Sequence, residues 1–88
     1  MLVACIVAAC ADAPVQTMSD TRQAISAAEV SGAATRAPVP LETARERLKK
    51  AEALLRLGEY RAAREEAAAA RHSAAEALAA SQQSTGQH

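Results

Sequence analysis

Leu41, Ala44, Leu48, Ala51 and Leu55 recur at alternating spacings of three and four, and so do Ala63, Ala67, Ala70, Ala74 and Ala77. This period places each set on one face of an α-helix. Between the two sets lies Leu57-Gly58-Glu59-Tyr60, a connection too short to let the second helix run anywhere but back along the first. Folding the chain about Glu59 sets Leu55 opposite Ala63, Ala51 opposite Ala67, Leu48 opposite Ala70, Ala44 opposite Ala74 and Leu41 opposite Ala77. Leucine against alanine lets the axes approach to about 8 Å and gives the pair a register. The pattern therefore predicts an antiparallel hairpin of helices at about 40–57 and 60–80, with Gly58 and Tyr60 at its turn. An apolar stripe of this kind is a packing seam, with no residue in it suited to hold a cofactor.

A third helix is expected before the hairpin. Met18, Thr21, Ile25 and Ala28 fall three or four apart, Asp20 and Gln23 have capping-box spacing, Thr17 is an alternative cap, and Gly32 is a natural stop. This predicts a shorter helix at about 18–32 packed on the hairpin, giving an all-α, three-helix arrangement. Residues 33–40 read as a connector, because Pro38 and Pro40 push Ala37 and Val39 from helical angles. Pro40 then suits the first position of the next helix, with Glu42 in its first turn. At the other end, the polar run of residues 81–88 reads as a disordered tail after the 18–80 domain.

Composition explains why such a core must be thin. Half of the 88 residues are hydrophobic, but most of these are alanine; Trp and Phe are absent and Tyr60 is the only ring. Little apolar area is available per residue, so self-association is a reasonable means of gaining more. Ten basic and ten acidic residues cancel, and no aromatic platform exists for base stacking, which excludes nucleic acid as a partner class. Glu46 with Lys50, Glu52 with Arg56, and Arg61 with Glu65 stand four apart and are expected to pair along solvated helix faces. Arg45, Arg47, Lys49 and Lys50 could meet phosphate or headgroups, but Glu42, Glu46 and Glu52 interrupt them. Leu54, Leu57 and Tyr60 cluster near the turn, where they either cover the first helix or receive another protein.

No catalytic constellation is visible, and the expectation is a protein without enzyme activity. His72 and Glu76 share a helix face, but a zinc site needs three protein ligands and the other histidine is His88. No serine stands with a base and an orienting carboxylate, and Gly32, Gly58 and Gly86 are too scattered to cradle phosphate. Catalytic and metal residues are thus expected to be none, and so are cofactors.

Both cysteines lie in the first ten residues, where a Cys5–Cys10 disulfide would constrain almost nothing. Residues 1–9, Met-Leu-Val-Ala-Cys-Ile-Val-Ala-Ala, form an apolar run that ends just before Asp12 and Pro14. It is shorter than the about 20 apolar residues of a membrane span and reads as the end of a secretory signal. Val7-Ala-Ala-Cys10 resembles the lipobox of bacterial lipoproteins: an aliphatic residue, two small ones, and the cysteine that receives diacylglycerol. Cys5 in Leu2-Val-Ala-Cys5 is the alternative acceptor. Because no Lys or Arg precedes Cys10, the expected start of translation lies upstream of Met1. Residues 10–17 then form a lipid-anchored tether.

Two family likenesses follow. Leu54-Leu-Arg-Leu-Gly-Glu-Tyr-Arg-Ala-Ala63, with Ala51 and Ala70, is similar to the middle of a tetratricopeptide repeat, although Arg47 and Lys50 stand where that repeat has large apolar residues. This likeness implies a soluble helical adaptor for protein–protein interaction. Over most of its length the chain more closely resembles a family of small, alanine-rich bacterial envelope lipoproteins carrying a domain of unknown function. The shared features are the lipobox cysteine, the Pro-containing tether, Ala24-Ile-Ser-Ala-Ala-Glu29, Ala37-Pro38, a charged Leu/Ala helix ending in Gly58-Glu-Tyr60, and a final alanine-rich helix. Larger members resemble proteins in which this domain precedes an OmpA-like module. The resemblance implies a covalent lipid on Cys10, a membrane and an envelope protein as partners, and a structural or partner-holding role. Ala11 after the cysteine, in place of aspartate, implies the outer membrane facing the periplasm.

Overall fold

The computed structural model describes residues 13–86, with side chains to residue 83. Four α-helices follow in order: α1 (Val15–Val30), α2 (Ala33–Arg36), α3 (Pro38–Arg56) and α4 (Tyr60–Gly86). All regular structure among the described residues is helical. The α3–α4 pair makes the most extensive contact, and α1 packs chiefly on α4 with a smaller contact to α3.

The direction of each helix follows from who meets whom. Met18, early in α1, gathers with Ala51 and Ala67 on the turn side of the hairpin. Ile25 and Ala28, later in α1, gather with Leu41, Ala44, Ala74 and Ala77 on the other side. Helix α1 therefore runs parallel to α4 and antiparallel to α3, an up-down-up bundle whose short α2 closes the end away from the hairpin turn. Met18, Thr21, Ile25 and Ala28 are all buried, so this weak stripe is the face that α1 turns to its neighbours.

Both turns are set by glycine. At the hairpin, Glu59 N–H donates to Leu54 C=O at 2.9 Å and Gly58 N–H to Leu55 C=O at 3.0 Å, the two bonds of a Schellman motif. Gly58 has φ +80°, where an L side chain is strained. Gly32, at φ +88°, ends α1 in the same region, its N–H donating to Glu29 C=O at 3.0 Å.

Several local features differ from the sequence expectation. Helix α1 begins at Val15 with Pro14 as its N-cap, and neither Thr17 nor Asp20 caps it. Instead, Gln16 Nε2 donates to Asp20 Oδ1 at 2.8 Å inside the helix. The tether expected over 10–17 thus ends earlier among the described residues. The connector is not irregular: Ala33–Arg36 make one helical turn, because burial of Ala33 and Ala37 rewards compaction there. Ala37 alone takes the non-helical angles imposed by a following proline, φ −145° and ψ 60°. Pro38, not Pro40, occupies the first position of α3, and Val39 is helical. Pro40 is tolerated because first-turn N–H groups have no intrahelical acceptor to lose.

Helix α4 continues through residues 81–86, in place of the expected tail. Ser81 extends the buried spacing of Ala70, Ala74 and Ala77 and is itself fully buried. Its hydroxyl donates to Ala77 C=O at 2.7 Å, so burying it leaves no unmet polar group.

Candidate functional site

The five alanines of the α4 stripe, Ala63, Ala67, Ala70, Ala74 and Ala77, are all fully buried. From α3, Leu41, Ala44 and Ala51 are buried, while Leu48 and Leu55 are partly exposed and pack against the core from its margin. The stripe side chains are thus spent on packing. Leu48 touches both clusters and joins the two halves of the bundle.

Thr21, Ser73 and Ser81 are the buried polar side chains among the described residues. Thr21 is fully buried, and its hydroxyl has two carbonyls in reach: Thr17 of its own helix at 2.8 Å and Ala67 of α4 at 2.7 Å. Small alanines let α4 come close enough for a one-carbon hydroxyl to bridge helices. The stripe in the sequence marked Thr21 as inward; the acceptor could not be read there, since it is a backbone atom 46 residues away.

For Lys50 and Glu52 the structure replaces the expected pairs along one helix with straps between helices. Lys50 Nζ lies 3.6 Å from Glu66, not beside Glu46, and Arg47 meets the same carboxylate group at 3.2 Å. Glu52 meets Arg22 at 3.2 Å, not Arg56. Arg45 meets Glu29 at 2.8 Å and Glu42 at 3.5 Å; the hydrogen bond to Glu29 raises the guanidinium pKa from its ordinary value. The physical reason is proximity: helices packed at about 8–10 Å bring flanking positions within reach of long side chains. Three members of the Arg45, Arg47, Lys49, Lys50 cluster are therefore engaged by carboxylates, and the cluster does not present a basic patch.

Two shallow grooves lie among the described residues. One, of about 510 Å³, lies between the start of α3 and the end of α4 and is lined by Val39, Pro40, Thr43, Ser73 and Glu76 among others. The second, of about 370 Å³, lies between α1 and α4 and is lined by Thr17, Ala68, Arg71, His72 and Ala75. Ser73 and His72 thus face different grooves, so hydroxyl and imidazole do not converge. His72 Nε2 stands 3.5 Å from Glu76 on an exposed surface, and no third potential ligand joins them among the described residues.

The hairpin turn carries the other residues marked by the sequence. Leu57 is 75% exposed, Tyr60 39% exposed and Leu54 half-buried. A Cβ on Gly58 would stand in open space, clear of all but its chain neighbours. Cys5 and Cys10 lie outside the described residues.

Fold and surface together define a small, alanine-rich, up-down-up α-bundle. The chain belongs to the family described as Domain of unknown function (DUF4398), which matches residues 16–87. No curated protein and no solved structure matches it.

Proposed function

We propose that the chain is a non-enzymatic lipoprotein of the bacterial cell envelope, anchored through lipid on Cys10 and holding its helical bundle in the periplasm as a structural or partner-binding module. The observation that carries this reading is Val7-Ala-Ala-Cys10, a lipobox-like segment at the end of an apolar run and only five residues before α1 begins at Val15. Small residues ahead of the cysteine suit a peptidase that cuts beside a new lipid. Each buried CH2 of the acyl chains contributes about 0.8 kcal/mol, and two chains hold a protein stably on a bilayer. No helix among the described residues is long and apolar enough to cross a membrane, so attachment in this reading runs through Cys10.

The bundle supplies what such a module needs. Its inner stripe is consumed by packing, its flanks are strapped by ion pairs, and its grooves are shallow and chemically plain, which supports a holding role over a catalytic one. Ala11 supports the outer membrane as the destination, by resemblance to lipoproteins sorted there. An envelope protein, or a second copy of the chain, is the proposed class of partner.

Metabolic palmitate labelling in a bacterial host tests this. Label on the wild type that disappears in Cys10→Ala and persists in Cys5→Ala is the expected result. An unlabelled wild type in the cytosolic fraction would overturn it in favour of a soluble tetratricopeptide-like adaptor. A metal or hydrolytic activity lost on His72→Ala would overturn the non-enzymatic reading.

A further inference from the structure

We infer that the bundle stands on the bilayer by its hairpin end, with Leu57 and Tyr60 seated in the headgroup layer. This orientation rests on the lipid proposed for Cys10 and adds which end of the molecule faces the membrane and which side chains touch it.

The argument begins with helix direction. Thr21 is hydrogen-bonded to Ala67, and α1 runs parallel to α4. Stepping six residues back along both helices sets Val15 level with Arg61, beside the Gly58 turn. The chain therefore joins the bundle from residues 1–12 at the hairpin end, not at the α2 end. From Cys10 to Ala13 there are three residue steps, which span at most about 11 Å when fully extended. A lipid at Cys10 then keeps the turn within the thickness of the headgroup region.

The chemistry of that end agrees. Leu57 and Val15 are 75% and 70% exposed, and Tyr60, three residues after Leu57 and 39% exposed, carries an apolar ring and a polar hydroxyl, the combination favoured at membrane interfaces. Gly58 at φ +80° turns the backbone directly after Leu57, and Leu57 stays 75% exposed there. Arg56 and Arg61 are exposed on the same end and suit lipid phosphates, while Glu59 and Glu65 balance them. Contact is thus expected to depend on apolar insertion more than on anionic lipid. At the opposite end, Val39 is equally exposed at 73% and serves as an internal control.

The test uses the full-length, lipidated protein reconstituted in phosphatidylethanolamine–phosphatidylglycerol vesicles containing brominated lipid. The chain has no tryptophan, so Leu57→Trp and Val39→Trp each place one reporter at one end. Both positions are exposed, and circular dichroism of each variant confirms the bundle. Expected is a blue-shifted emission and several-fold stronger bromine quenching for Leu57→Trp than for Val39→Trp. Equal quenching at the two ends, or none at Leu57→Trp while mass spectrometry shows lipid on Cys10, would overturn the orientation and leave the anchor standing. A bare thiol at Cys10 in the same mass spectrum would overturn the anchor and the orientation together.

Discussion

The two halves of the bundle share one alanine face of α4 and differ in what is laid against it. Away from the hairpin turn, Ile25, Ala28, Ala33, Ala37, Leu41, Ala44, Ala74 and Ala77 form a continuous core, closed at its end by α2. Near the turn the corresponding core is Met18, Ala51 and Ala67, with Leu48 and Leu55 at its margin. The difference teaches that alanine on α4 sets how close the helices come, while the other helices decide how much apolar area is buried there. Local stability should accordingly fall from the α2 end toward the turn.

The sharpest way to break this comparison is to empty each half in turn. Leu41→Ala removes a side chain 1% exposed whose neighbours are mostly alanines, too short to fill the void, and should cost about 3–5 kcal/mol in urea unfolding followed at 222 nm. Met18→Ala should cost about 2–3 kcal/mol, because partly exposed Leu48 and Leu55 can relax into the space. A larger loss for Met18→Ala than for Leu41→Ala would reverse the proposed gradient. Next in size are the turn glycines: Gly58→Ala should lose about 1–2 kcal/mol through its positive φ alone, since its surroundings are open. Thr21→Val keeps shape and removes the bridge to Ala67; about 1 kcal/mol is expected, together with faster amide exchange in the first turns of α1. Smallest is Glu66→Gln, which weakens the strap to Arg47 and Lys50. A loss below about 1 kcal/mol that shrinks further at high salt is expected from thermal melts at two ionic strengths.

The hairpin was legible because its signal repeats over ten positions and its turn is punctuated by a glycine. The inward face of α1 was legible too, although four residues with one threonine make a faint stripe. Helix ends were not, since burial decided them over local preference. Ser81 is a poor helix former that stays helical because it continues the buried face, and Ala33–Arg36 coil because Ala33 and Ala37 find a core to enter. Partners of charged side chains escaped the sequence for a related reason: spacing along one helix says nothing about a carboxylate arriving on another, as Glu66 and Glu29 do. For the site, the sequence offered Cys10 as the expected anchor, which lies outside the described residues, and the bundle adds the end at which the chain enters α1.

Parallel α1 and α4 also have a mechanical meaning. The chain joins α1 at one pole of the bundle and leaves α4 at the other, and α4 alone, at 27 residues, is about 40 Å long. Tension applied between the poles loads the α1–α4 interface in shear along its whole length, so that the Thr21 bridge and every packed pair resist at once. A strut loaded in this way yields abruptly instead of unzipping.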